Sequence, residues 1–77
     1  MVIDIEEFES KFEENYKMLY QNDYIIKGYN KRLKEYDKLV KREDVKELLK
    51  QFIIHRGDFI SSDRECVAFV LTLEEYM

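Results

Sequence analysis

The chain contains no proline and no tryptophan, one cysteine, one histidine and two glycines. Each scarcity excludes something. Cys66 alone can make neither an internal disulfide nor a cysteine-rich zinc site. With no proline, and only Gly28 and Gly57 as interruptions, long unbroken elements are expected. No run of about 18 apolar residues exists, which excludes a spanning helix. Met1 to Glu14 are acidic rather than basic and then apolar, so no signal peptide is expected and the expected location is cytoplasmic. The chain carries no Gly-rich phosphate loop, no His-Glu-x-x-His and no Cys-x-x-Cys. No metal, cofactor or catalytic set is therefore expected.

What is present points to a small helical domain. The 77 residues are read as one domain, 1–77, with 45% hydrophobic and 39% charged residues and a net charge of −4. A domain of this length buries only roughly 60% of its unfolded surface. It needs well-packed helices or a second chain to be stable. Helix formers dominate, and no internal repeat or low-complexity tract appears.

Four helical segments follow from the periodicity. From Asp4 to Tyr20, apolar residues recur at Ile5, Phe8, Phe12, Tyr16 and Leu19, which is one helical face. From Asp23 to Lys41, Ile26, Tyr29, Leu33, Tyr36 and Val40 make a second such face. Lys27, Lys31, Lys34, Lys38 and Lys41 repeat on the other side. Gly28 weakens the start of this helix, so Asn30 is a candidate cap, with Gln21-Asn22-Asp23 as the preceding connection. From Asp44 to His55 the stripe is Val45, Leu48, Leu49, Phe52 and Ile53, and Asp44 with Glu47 resembles a capping box. The phases of the second and third stripes disagree, which predicts a break near Arg42-Glu43. Gly57 is the expected terminator of the third helix. Phe59 and Ile60 are expected to plug the end of the core.

The last segment, Cys66 to Met77, is ambiguous. Its apolar, β-branched stretch suits a buried strand as well as a helix. Ser62-Asp63-Arg64-Glu65 ahead of it is a capping-box pattern, and a lone strand has no evident pairing partner, so a helix is preferred. A helix apolar on nearly every side must lie at the centre or meet another chain. The fold expectation is thus an all-α four-helix bundle, with the last segment a strand in the alternative, and with homodimerisation through that segment an open option.

Several residues are candidates for binding. The charge is unevenly placed: residues 1–26 carry −5, residues 27–50 carry +4 and residues 51–77 carry −3. The stripe Lys27, Lys31, Lys34, Lys38 and Lys41 could follow a phosphate backbone or an acidic protein surface, or be an ordinary solvated face. Its lack of arginine and the net acidity of the chain predict only weak, non-specific binding to nucleic acid. Glu6, Glu9 and Glu13 form a row of carboxylates that could stand in for phosphates, or be a solvated flank with Glu13 and Lys17 paired. Tyr20 and Tyr24 rotate off the core face and suit an interface or the rim of the core. His55 sits favourably at a helix C-terminus, and Cys66 reads as an inert packed thiol. Arg56-Gly57-Asp58 is treated as a chance triplet in a turn.

The functional expectation is a non-enzymatic protein-binding regulator or inhibitor with an unidentified protein partner. The Lys-, Ile-, Tyr- and Glu-rich composition suits an AT-rich genome and a viral or mobile-element source. The alternatives are a nucleic-acid accessory protein using the lysine stripe and a structural or assembly subunit.

Overall fold

The computed structural model describes residues 3–22 and 28–77, and all regular structure among them is helical. The order is α1 (Ile5–Asn22), α2 (Tyr29–Leu39), α3 (Glu43–Arg56) and α4 (Asp63–Glu74). No helix is long and apolar enough to cross a membrane.

Three helix ends have a clear local cause. Asp4 starts α1 by accepting the amides of Glu6 at 2.9 Å and Glu7 at 3.3 Å, two donors that would otherwise lack partners. Gly57 ends α3 in the left-handed region at φ 77°, its amide donating to the Ile53 carbonyl. Ser62 and Glu65 form a reciprocal capping box at the start of α4. The Ser62 hydroxyl accepts the Glu65 amide, and Glu65 Oε1 accepts the Ser62 amide, both at 3.2 Å.

α4 is the centre of the molecule. Val67, Ala68, Phe69, Val70, Thr72 and Leu73 are fully buried. α1 and α2 pack against α4, and α3 packs against α1. Phe69 meets a ring from each of the other helices: Phe8 at 5.4 Å, Tyr36 at 5.9 Å and Phe52 at 6.0 Å between centroids. Phe12 meets Phe52 at 4.9 Å. Such pairs contribute roughly 0.5–1.5 kcal/mol each beyond area burial. The buried Thr72 hydroxyl donates to the Ala68 carbonyl at 2.7 Å and accepts from Asn15 at 2.9 Å, so its burial leaves no unmet polar group.

The periodic faces are therefore borne out for α1, for α2 at Tyr29, Leu33, Tyr36 and Val40, and for α3 at Val45, Leu48, Leu49 and Phe52; the strand alternative for residues 66–73 is not, since they are helical. The apolar residues on which homodimerisation through this segment rested are covered by the chain's own helices. Four local expectations are corrected. α2 is capped by Gly28, not Asn30, because glycine alone adopts φ 80° without a Cβ penalty. Gln21 and Asn22 belong to α1 rather than to a connection. α3 starts one residue earlier, after Arg42. Asp44 then lies inside the helix, accepting from the Val45 amide and pairing with Arg42 rather than boxing with Glu47. Phe59 does not plug the core: it is 71% exposed, and only Ile60 of that pair packs inward. Ile26, expected on the core face of α2, lies outside the described residues.

Candidate functional site: an uncovered apolar groove on α3

The α3 helix has more apolar surface than one neighbour can cover. Val45, Leu48 and Phe52 are buried in the core. At roughly 100° per residue, Leu49 and Ile53 lie round the helix from them, and the apolar arc widens to about 140°. Ile54 lies further round still and is 71% exposed, like Phe59 beyond the Gly57 turn. Leu49, Ile53, Ile54 and Phe59 line one shallow groove, and the only charged residues lining it are Lys46 and Lys50. Lys46 reaches only Glu43, at 3.9 Å, and that carboxylate is almost wholly in water. No carboxylate among the described residues pairs with Lys50. Scattered exposed apolar residues are ordinary, but a contiguous set rimmed by polar residues is a recognised sign of a contact surface.

The connection that presents Phe59 is held at both ends. Upstream, Arg56 stacks its guanidinium 5.0 Å from the Phe12 ring centroid. Its Nη2 donates to Glu65 Oε2 at 2.5 Å. Glu65 also accepts from the Ser61 amide and hydroxyl. Burial pushes the Glu65 carboxyl up, but the Arg56 guanidinium and the Ser61 and Ser62 donors together outweigh it, and the carboxyl lies below its ordinary range. The loop bearing Phe59 is thus pinned to α3 through Arg56 and to α4 through Glu65. No residue of this network was foreseen as a site. The capping-box pattern named Ser62 and Glu65, but nothing in the sequence pairs Arg56 with Glu65 across the turn.

The sequence-level candidates fall elsewhere. Glu6 and Glu13 are exposed on α1 and share a shallow groove with Glu9, Lys17 and His55. Glu9 is drawn out of the row by His55 Nδ1, at 2.5 Å across the α1–α3 contact. Glu13 and Lys17 do not pair; the α1 ion pair is Lys11 with Glu7, 3.2 Å apart. Tyr20 is 66% exposed, with the Arg64 guanidinium 4.9 Å from its ring centroid. Lys31, Lys34, Lys38 and Lys41 are all exposed, and Lys31 lies 3.9 Å from Glu35. Tyr24 and Lys27 lie outside the described residues. The acidic row is carried by α1 and the lysines by α2 and the residues just after it, so the structure does not merge them into one site.

Two further groups define what the molecule does not offer chemically. Burial and the carboxylates of Asp63, Asp37 and Glu65 push the Cys66 thiol up to about 11, so at neutral pH it is a thiol and a poor nucleophile. Among the described residues, no three His, Cys, Asp or Glu side chains converge where a metal ion could be held. No protein-family model matches the chain, and comparisons with curated proteins and with solved structures found no match either.

Proposed function

We propose that this chain is a small non-enzymatic protein-binding module, of regulator or inhibitor type, that contacts its partner through the α3–Phe59 groove. The observation that carries the reading is the exposure of Ile54 and Phe59, 71% each, in a chain whose other large phenylalanines are fully buried. An aromatic held in water by a pinned loop gains nothing for folding. It gains a great deal if a partner covers it, since aromatic anchors dominate interface energetics. The Arg56–Glu65–Ser61 network supports the same reading, because a loop fixed before contact loses less entropy on binding.

The test compares the native chain with Ile54→Ser/Phe59→Ser in affinity capture from nuclease-treated lysate of its host cell at moderate salt. The expected result is a protein retained by the native chain and lost with the double variant. Retention that ignores the groove, or no retained protein, refutes the reading.

A second reading rests on a different observation. Lys31, Lys34, Lys38 and Lys41 all reach solvent, which suits loose tracking of a polyanion. Lys31→Glu/Lys34→Glu/Lys38→Glu should then abolish retention of nucleic acid at low salt. Retention unchanged by the triple substitution removes the stripe from consideration.

A further inference from the structure

We infer that the groove takes an amphipathic helix bearing acidic residues, contributed by a different protein. This names the partner chemistry of the module proposed above and rests on that reading.

The shape of the groove points to a helix. Its floor is set by Leu49 and Ile53, one turn apart, and it continues through Ile54 to Phe59. From Lys46 to Ile54 the helix axis advances about 12 Å, which two turns of a partner helix cover. A helix lying there presents apolar residues at i, i+4 and i+7, the pattern that helix-in-groove recognition uses. An extended strand has no ladder to join, because the walls are a helix and a side chain with no free backbone edge.

Charge selects the helix. Lys46 and Lys50 are also one turn apart and stand beside the apolar floor. Carboxylates spaced i, i+4 on the incoming helix meet both. Among the described residues Lys50 has no carboxylate partner and Lys46 has only Glu43, at 3.9 Å and in water, so a partner's acids displace at most that one exposed pair. An acidic flank is therefore attracted at Lys46 and Lys50, and a basic helix is repelled there.

The same charges disfavour a second copy of this chain. A two-fold contact uses one patch against itself. Antiparallel pairing of α3 centred on the groove brings Lys50 against the Lys50 of the other copy. Glu43 and Glu47 lie on the far side of Lys50 from the Leu49–Ile53 floor at roughly 100° per residue.

The experiment is selection from a display library of helix-templated peptides against the native chain, with counter-selection against Phe59→Ser. Chemical synthesis of the enriched sequences then allows binding to be measured by anisotropy. The expected winners carry apolar residues at i, i+4 and i+7 flanked by Asp or Glu. Their affinity should fall at least about tenfold with Lys46→Gln/Lys50→Gln and with rising salt, and further with Lys46→Glu/Lys50→Glu. The last variant should turn the selection toward Lys-bearing helices. Circular dichroism and melting of each variant confirm that the fold is kept.

Neutral, basic or extended winners overturn the inference, as does a failure to enrich any Phe59-dependent sequence. A Phe59-dependent dimer in sedimentation overturns it in favour of self-association. If captured protein still depends on Ile54 and Phe59 while the peptides fail, the module reading stands and only the acidic-helix partner is wrong. If both fail, the groove is not a binding site.

Discussion

Two apolar surfaces of this molecule have opposite fates. The apolar surface of α4 is largely covered by the described residues: Val67, Ala68, Phe69, Val70 and Leu73 are fully buried, and the buried Thr72 hydroxyl has its hydrogen-bond partners. On the outer side of α3, Leu49 and Ile53 are half-buried, and Ile54 and Phe59 are left exposed by the described residues. Both read as hydrophobic in the sequence. What separates them is the number of neighbouring helices: α4 has close neighbours in α1 and α2, whereas α3 packs chiefly against α1. Among the described residues, Ile54 and Phe59 are apolar groups that no neighbouring helix covers. That is where a partner gains most.

The sharpest way to break this comparison is to truncate one phenylalanine on each surface. Phe69→Ala removes the ring on which three helices converge and should cost about 3–5 kcal/mol. That is close to the whole stability of a domain this small, so the variant should be largely unfolded in urea titration. If Phe69→Ala is mild, α4 is not the centre that the packing indicates. Next in size is Glu65→Ala, which leaves the Arg56 guanidinium without its carboxylate and removes one half of the α4 cap. The expected cost is about 2–4 kcal/mol, measured in the same way.

The same carboxylate gives a pH dependence. Because its folded value is depressed, its contribution is full above the ordinary glutamate pKa of about 4.3. It is lost as the pH falls through the lower folded value. Urea midpoints should therefore drop below about pH 4, and less steeply in Glu65→Gln. An identical slope in that variant assigns the acid sensitivity to other groups.

Ser62→Ala should cost about 1 kcal/mol, the usual value of an N-cap, read as a shift in melting temperature. Smallest of all is Phe59→Ala, expected to change stability by less than about 0.5 kcal/mol because the ring is already in water. A core-sized loss at Phe59 is the result that would erase the distinction between the two surfaces.

Most of the helical architecture was legible from periodicity. The five apolar positions of α1, the inward stripe of α3 and the cap of α4 all follow from spacing and from one local hydrogen-bonding pattern. Starts of helices were less legible where a left-handed glycine or a flanking arginine took the place of a side-chain cap, as at Gly28 and Arg42. The groove was the least legible. Ile53 was assigned to the same stripe as Phe52, and Phe59 to the core, because sequence shows that a residue is apolar but not whether a neighbour remains to cover it. The usable signal was the width of the α3 pattern: apolar residues at 45, 48, 49, 52, 53 and 54 span more than one contact face. The Arg56–Glu65 contact had no such signal, since any of several acids lay within reach of that arginine.

That contact also bears on the order in which the molecule assembles. Arg56 and Glu65 are nine residues apart, whereas Asn15 and Thr72 are 57 apart. Closing the longer loop costs about 1.6 kcal/mol more chain entropy by the logarithmic law. The Arg56–Glu65 contact at the α3–α4 corner is therefore the cheaper of these two to close. Substitutions at this corner should slow refolding, whereas those at Asn15 should chiefly hasten unfolding. The bend that displays Phe59 to the solvent is, on this account, also expected to close early when the chain folds.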